Sequence, residues 1–180
     1  MSETMEKKNG LIKKGIGGFY YVEANDKIYE CKARGIFRKN KLTPYAGDRV
    51  LFSIDEDETG TIEEILPRKN YLIRPPVANL DQLFIVVSVC EPSPNPLIID
   101  KTIAAAINKE ISPVIVISKT DLQDGQWIQE IYKTVGIPVL MISAVDDRDI
   151  AQIRTMLQGK ISAFTGNSGV GKSTLLNRID

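Results

Sequence analysis

The chain has 180 residues with 23 basic and 23 acidic side chains, so its formal net charge of zero excludes a polycation built to coat nucleic acid or an anionic membrane. Histidine is absent and the only cysteines are Cys31 and Cys90, which excludes a Cys/His zinc site within this chain and any histidine-dependent catalytic triad. No apolar run reaches the ~20 residues that span a bilayer, and low cysteine content is typical of a reducing compartment, so we expect a cytoplasmic protein that does not enter a membrane.

The first part of the chain is predicted to form short β-strands. Four segments mix β-branched and aromatic residues with polar alternation: Phe19–Val22, Lys27–Ala33, Arg49–Ile54 and Thr61–Ile65. Glycine, proline and Asn-Asp turn signals separate these segments, and no helical pattern lies between them. The pattern favours a small closed all-β barrel, with an OB-fold-like barrel first and an SH3-like barrel second. We assign residues 1–72 to this barrel.

A basic cluster within the barrel is a candidate RNA contact. The cluster contains five basic side chains and one aromatic ring, with no acidic residue among them: Lys32, Arg34, Phe37, Arg38, Lys39 and Lys41. OB-folds bind single strands with basic grooves and aromatic rings on which bases stack, and Phe37 is the ring expected to stack here. A solvated charged strand and loop accounts for the same residues equally well.

Strands and helices alternate over residues 73–180. Four apolar segments are typical of strands in a sheet that is buried on both faces: Leu83–Val89, Pro113–Ile117, Ile137–Ile142 and Ile161–Thr165. Apolar residues at helical spacing follow each of the first three, and a further helix begins near Leu175. This alternation predicts βαβ crossovers and a parallel sheet, which is an α/β domain.

A glycine-rich motif follows the fourth of these strands. Its residues fit the phosphate-loop pattern G-x-x-x-x-G-K-[ST], and with the next residue they form the candidate phosphate site: Gly166, Asn167, Ser168, Gly169, Val170, Gly171, Lys172, Ser173 and Thr174. Glycines let backbone N–H groups wrap a phosphate, and the helix that follows adds partial positive charge. Lys172 is expected to reach the β- and γ-phosphates, Ser173 to bind Mg²⁺ and the Thr174 amide to meet the α-phosphate. A flexible glycine-rich turn is the alternative, which the flanking strand and helix disfavour.

Two other strand ends indicate which base is bound. The segment of Ser118, Lys119, Thr120 and Asp121 follows the second buried strand, where ligands bind in open α/β sheets. It resembles the [NT]-K-x-D signature of translation-factor-type GTPases, in which the aspartate accepts from N1–H and the exocyclic amine of guanine. Ser143 and Ala144 follow the next strand and resemble the element whose backbone amide meets guanine O6. These segments predict GDP or GTP with Mg²⁺, although Ser118 replaces the usual Asn or Thr.

The guanine elements precede the phosphate loop, which reverses the order of ordinary GTPases. A barrel followed by such a permuted domain resembles the bacterial circularly permuted GTPases of the ribosome small-subunit-dependent GTPase A type. Four segments and two single residues carry this resemblance: Arg34–Arg38, Ala46–Val50, Arg74–Gln82 and Gly166–Thr174, with Lys119 and Asp121.

The resemblance implies an OB-fold, a permuted GTPase domain and a C-terminal zinc-binding domain. It also implies GTP hydrolysis that the small (30S) ribosomal subunit stimulates, a role in the late maturation of that subunit, and contact with its rRNA. The switch regions, a catalytic histidine and the Zn²⁺ ligands are expected beyond residue 180. We therefore expect an incomplete GTPase domain in which the catalytic residue is unknown and nucleotide binds poorly or without turnover, and we expect a monomer.

Two other functions remain open from the residues alone. One is a P-loop ATPase or kinase with a fused nucleic-acid-binding barrel, against which the guanine elements argue. The other is a non-enzymatic RNA-binding module whose nucleotide site is vestigial.

Overall fold

The computed structural model describes residues 7–40, 42–55, 58–143 and 147–179, including all of their side chains except those of residues 38, 147 and 148. The chain divides into two compact units, Met1–Asn79 and Leu80–Asp180. Among the described residues, no helix is both long enough and apolar enough to cross a membrane.

The first unit is a closed five-stranded barrel. Its elements in chain order are β1 (Lys8–Ile16), β2 (Phe19–Ala24), β3 (Lys27–Ala33), the short helix α1 (Gly35–Lys39), β4 (Arg49–Ile54) and β5 (Gly60–Ile65). The strands pair in the order β1-β2-β3-β5-β4, and β4 returns to pair with β1. β3 and β5 run parallel, while the other pairs are antiparallel. This closed barrel confirms the predicted all-β, OB-fold-like fold.

Two elements of the barrel do not follow from the local sequence pattern. β1 is rich in lysine and glycine, which have low strand propensity, and it is held by pairing with β2 on one side and β4 on the other. α1 has five residues, which is too short for a helical period to be recognised. The prediction of no helix between the strands was therefore wrong at this position.

The barrel interior is filled by apolar side chains from all five strands and α1. The buried members are Ile12, Val22, Ala24, Cys31, Phe37, Val50, Phe52 and Ile62. Burial raises the pKa of the Cys31 thiol to about 11, so this thiol stays protonated at neutral pH.

A two-stranded hairpin completes the first unit. It consists of β6 (Tyr71–Leu72) and β7 (Val77–Ala78), which pair antiparallel. The Ala78 N–H donates to the Ala46 carbonyl at 2.8 Å, and the Asn79 N–H donates to the Asn70 carbonyl at 2.9 Å. Because of these bonds, residues 73–79 lie in the first unit, whereas the sequence pattern assigns them to the second domain.

The second unit is a parallel α/β fold. Its elements in chain order are β8 (Gln82–Ser88), α2 (Pro96–Ile107), β9 (Ser112–Ser118), α3 (Gln126–Lys133), β10 (Val139–Met141), α4 (Asp147–Leu157), β11 (Ser162–Thr165) and α5 (Lys172–Ile179). The sheet order is β10-β9-β8-β11, and every pair is parallel. This confirms the predicted alternation of strands and helices.

The core of the second unit fixes the sheet beneath the site. Phe84 of β8 and Phe164 of β11 stack with ring centroids 4.7 Å apart, and Ile153 of α4 is fully buried in the same cluster. Because all four strands are parallel, their carboxyl ends lie along one edge of the sheet. Ligands of open α/β sheets bind at this edge.

Candidate nucleotide-binding site

The loops after β9, β10 and β11 enclose a small cavity at the carboxyl edge of the sheet. Its volume is about 170 Å³, and it is lined by Ser118, Lys119, Ile142, Ser143, Gly171, Thr174, Leu175 and Arg178. The structure thus brings members of all three predicted segments together. Asp121 lies two residues beyond Lys119 in the same loop and is exposed. The Thr120 N–H donates to the Ile142 carbonyl at 3.3 Å, which joins the predicted segment Ser118–Asp121 to the residue before Ser143.

The phosphate loop requires glycine at specific positions. Gly166 has φ of +154°, and a Cβ at this residue would collide with the carbonyl oxygen of Val86 on the neighbouring strand β8. Gly171 has φ of +88°, a left-handed conformation that side-chain-bearing residues rarely adopt. Between them, Val170 is 3% exposed and packs in the core, which fixes the middle of the loop.

The helix behind the loop begins at the invariant lysine of the motif pattern. α5 starts at Lys172, and the Leu175 N–H donates to the Gly171 carbonyl at 2.9 Å. The Lys172 ammonium donates to the Gly166 carbonyl at 3.2 Å, so its side chain folds back over the loop. The loop amides, the helix N-terminus and one ammonium group together form the arrangement that binds phosphate in P-loop proteins.

Ser118 joins the guanine and phosphate elements. Its side-chain oxygen lies 2.6 Å from the Val170 carbonyl oxygen and 3.1 Å from the Val87 carbonyl oxygen, and the residue is 4% exposed. One hydroxyl proton serves one of these acceptors at a time. The serine that replaces the usual Asn or Thr therefore keeps a contact between β9 and the phosphate loop.

Lys119 has a left-handed backbone at the end of β9. Its φ is +61°, a conformation that is uncommon for a residue with a long side chain. Its ammonium donates to the Glu91 carbonyl in the loop that follows β8. Lys119 thus connects the loops after two neighbouring strands beside the cavity.

Charged side chains hold Ser143, which belongs to the second predicted guanine element. The Ser143 N–H donates to the Asp149 carboxylate (Oδ2) at 3.2 Å, and the Ser143 carbonyl accepts from the Arg178 guanidinium (Nη1) at 2.9 Å. Ala144, the other residue of this element, lies outside the described residues. The sequence motifs do not identify Arg178. Its spacing would have indicated it: Arg178 lies four residues after Thr174 of the phosphate site, and residues four apart lie on the same face of a helix.

The predicted RNA-binding residues differ in their surroundings. Lys32 and Lys39 are exposed, and Arg34 forms an ion pair with Glu63 at 2.7 Å. Phe37 is 7% exposed and belongs to the barrel core, so its ring is not available to stack on a base. Its expected role is wrong because α1 turns this residue inward. The Arg38 side chain and Lys41 lie outside the described residues.

Phe19 of β2 is the aromatic ring that lies beside Lys32. The Lys32 ammonium is 5.4 Å from the Phe19 ring centroid, and the ring is half-buried. On the adjacent strand, the Lys14 ammonium is 4.7 Å from the Tyr21 ring centroid. Two aromatic rings on β2 are therefore paired with lysines, one from β1 and one from β3.

The chemistry of the phosphate loop fits a magnesium ion better than a soft metal. Ser173 lies exposed in the first turn of α5, where its hydroxyl is a hard oxygen donor. Mg²⁺ is commonly bound by one or two protein oxygens together with substrate phosphates and water. Within the described part of the chain, no three His, Cys, Asp or Glu side chains are grouped closely enough to hold a metal ion.

Comparison with known proteins identifies the same two parts of the chain. The RsgA N-terminal domain model matches residues 9–62, and the RsgA GTPase model matches residues 65–180. Proteins named small ribosomal subunit biogenesis GTPase RsgA from Alkaliphilus metalliredigens and Ruminiclostridium cellulolyticum are 49% and 46% identical, each over 94% of this chain. The chain spans 60% and 58% of the length of these two relatives.

Solved structures show the same fold. YjeQ from Thermotoga maritima matches with a TM-score of 0.82 and 37% identity, over 97% of this chain and 66% of that one. YloQ, described as a circularly permuted GTPase, matches with a TM-score of 0.79 and 39% identity, over 98% of this chain and 66% of that one. With the GTPase model covering more than half of the residues, the chain belongs to the RsgA GTPase family.

Proposed function

We propose that the protein is a cytoplasmic, circularly permuted GTPase that assists late maturation of the small ribosomal subunit and whose GTP hydrolysis the subunit stimulates. The names of the relatives support this role. The single observation that carries the nucleotide assignment is the convergence of Ser118, Ser143 and the phosphate loop around one cavity at the sheet edge.

The proposed binding mode divides the nucleotide between two sets of residues. The backbone amides of 166–171, the Lys172 ammonium and the Thr174 amide hold the phosphates, and the Ser173 hydroxyl is placed for the metal ion. The Ser173 hydroxyl would hold Mg²⁺, which would supply positive charge to offset the negative charge that develops on the phosphates during hydrolysis. The Asp121 carboxylate accepts from N1–H and the exocyclic amine of guanine, which adenine does not offer. Lys119 and Ser143 complete the base pocket, and Ala144 remains a candidate from the sequence.

The barrel supplies the proposed contact with rRNA. Lys32, Arg34 and Lys39 provide positive charge, and the Lys32–Phe19 pair provides a ring beside a cation. Single-stranded nucleic acids bind surfaces that combine these two features. Arg38 and Lys41 remain candidates from the sequence.

A nucleotide competition experiment tests the guanine site. The full-length protein is titrated with fluorescent GDP, and unlabelled GDP and ADP compete. We expect GDP alone to compete and the substitution Asp121→Asn to weaken GDP by about a hundredfold, because the charge and one of the two acceptor oxygens are lost and the new NH₂ group opposes a donor of guanine. The same variant should gain affinity for xanthosine diphosphate. Asp124→Asn is the matched control, since this exposed carboxylate in the same loop accepts from the Gln126 N–H and should leave GDP binding unchanged.

The other outcomes identify the competing functions. Equal competition by ADP would support the ATPase or kinase. A full-length protein that binds neither nucleotide would support the RNA-binding module with a vestigial site.

A further inference from the structure

We propose that Ser88 is a positioning residue for the nucleotide site, acting by fixing the Glu91 carbonyl that holds the Lys119 ammonium beside the base pocket. This inference rests on the proposed function, because Lys119 belongs to the proposed guanine pocket. Neither the phosphate-loop pattern nor the guanine signature includes the turn after β8, residues 88–91. This turn is then a fourth segment of the site, in addition to the three that the sequence predicts.

Ser88 and Lys119 lie at the ends of neighbouring strands. Ser88 is the last residue of β8 and is paired in register with Ser118, the residue before Lys119. The Val89 N–H donates to the Ser118 carbonyl at 3.2 Å, which continues the contact between the two strands. The two strand ends are thus held side by side at the carboxyl edge of the sheet, and Ser118 and Lys119 line the cavity there.

The Ser88 hydroxyl holds the turn that follows β8. The residue is 1% exposed, and its hydroxyl oxygen accepts from the Cys90 N–H at 3.3 Å. The same oxygen lies 3.0 Å from the Cys90 carbonyl oxygen and 3.4 Å from the Glu91 carbonyl oxygen, and its one proton serves one of these acceptors at a time. In either arrangement the hydroxyl holds the peptide unit before Cys90 and a peptide unit after it. The backbone that carries the Glu91 carbonyl therefore has a fixed direction.

The Glu91 carbonyl in turn holds the side chain of Lys119. It accepts from the Lys119 ammonium, and Lys119 is half-buried and lines the cavity in which the base is proposed to bind. A lysine carries its ammonium on a flexible stem, so holding it in one arrangement costs conformational entropy. An acceptor that is in place before the nucleotide arrives removes part of this cost from the binding step. Ser88 thus contributes to affinity through Lys119 without touching the nucleotide.

A double-mutant cycle tests whether Ser88 acts through Lys119. Ser88→Ala removes the hydroxyl, and Lys119→Met keeps the apolar stem while removing the ammonium. The full-length protein, both single variants and the double variant are titrated with fluorescent GDP. We expect Ser88→Ala alone to weaken GDP by about fivefold, as the loss of one buried neutral hydrogen bond predicts. In the Lys119→Met background the same substitution should change the affinity by less than about twofold, because the ammonium that the turn holds is absent.

Two further variants separate positioning from general damage. Ser88→Thr keeps the hydroxyl, and Ser88 lines a cavity of about 130 Å³ that offers room for the added methyl group, so this variant should retain most of the GDP affinity. Ser162→Ala is the matched control, because Ser162 accepts a hydrogen bond from the Gln82 side chain at the opposite end of the same sheet and its removal should leave GDP affinity unchanged. If Ser88→Ala does not fold in a thermal unfolding assay, Ser88→Cys, whose thiol is a weak donor, replaces it in the same cycle.

An equal loss from Ser88→Ala in both backgrounds would overturn the proposal, because the hydroxyl would then act by a route other than Lys119. The absence of any loss in Ser88→Ala, or an equal loss in Ser162→Ala, would overturn it as well. These results are distinct from failure of the proposed function, in which the unsubstituted protein itself would bind ADP as well as GDP.

Discussion

At the scale of single residues, Ser118 departs from the [NT]-K-x-D motif but still forms a hydrogen bond to a neighbouring loop. Asn or Thr at this position offers a polar group to neighbouring loops, and the shorter serine reaches the Val170 and Val87 carbonyls directly. The contact is possible because Val170 is drawn into the core, which brings its carbonyl toward β9. A hydrogen bond from Ser118 therefore joins the phosphate loop to the strand end that is proposed to recognise the base.

Removal of this hydroxyl should weaken nucleotide binding. We expect Ser118→Ala to cost about 1 kcal/mol, or roughly fivefold in GDP affinity, because a buried hydrogen bond that holds the phosphate loop is lost. Fluorescent-GDP titration measures the affinity, and thermal unfolding shows whether the fold is intact. Ser112→Ala, an exposed serine at the opposite end of β9, is the control and should have no effect. Unchanged affinity in Ser118→Ala would mean that the loop keeps its shape without this bond.

At the scale of elements, the Tyr132 hydroxyl joins α3 to α2, where it lies within hydrogen-bond distance of the Asp100 carboxylate and the Pro96 carbonyl. The Tyr132 hydroxyl donates to the Asp100 carboxylate (Oδ1) at 2.8 Å, and Tyr132 is 4% exposed. Burial, and then the hydrogen bond to Asp100, raise the pKa of Tyr132 well above its ordinary value near 10. The fold therefore favours the protonated phenol.

This raised pKa predicts a pH dependence of stability. Its contribution is fully present below pH 10 and is lost as pH rises above 10, because the unfolded chain then releases the phenol proton while the folded chain retains it. Tyr132→Phe should lower the free energy of unfolding by about 1 kcal/mol at pH 8 through loss of the hydrogen bond. The difference between the two proteins should shrink as pH rises above 10 in denaturant titrations.

Trp127→Phe, on the exposed face of α3, is the control and should preserve the pH dependence. Parallel curves for the original and Tyr132→Phe proteins would contradict the assignment.

The sequence predicts the elements that local patterns determine and does not predict those that depend on contacts with distant residues. β8, β9 and the phosphate loop are predictable because apolar runs and glycine spacing are local properties of the chain. β1 is not, because it is held by partners on both sides rather than by its own propensity. The burial of Phe37 is not predictable, because nothing in the neighbouring sequence signals the turn of α1. The contact of Arg178 is not predictable either, because its acceptor, the Ser143 carbonyl, is 35 residues away in the sequence.

At the scale of the whole molecule, each of the two units has its own apolar core. One cluster fills the barrel and another lies beneath the parallel sheet. The proposed RNA-binding residues belong to the first unit, and the proposed nucleotide-binding residues belong to the second. Substitutions on the barrel surface are therefore expected to weaken subunit binding and to leave nucleotide binding unchanged.

Charge reversal on the barrel tests this separation together with the proposed rRNA contact. We expect the double substitution Lys32→Glu and Lys39→Glu to weaken binding of the full-length protein to purified small subunits. The plot of log K against log salt concentration should also become less steep, by about 1 for each phosphate contact removed. GDP affinity should stay unchanged. Lys101→Glu with Lys133→Glu makes the same change of net charge on exposed positions of α2 and α3 and is the matched control. Binding is measured by sedimentation over a range of KCl concentrations. If both double variants lose the same affinity, overall charge governs the interaction, and the barrel surface has no specific part in it.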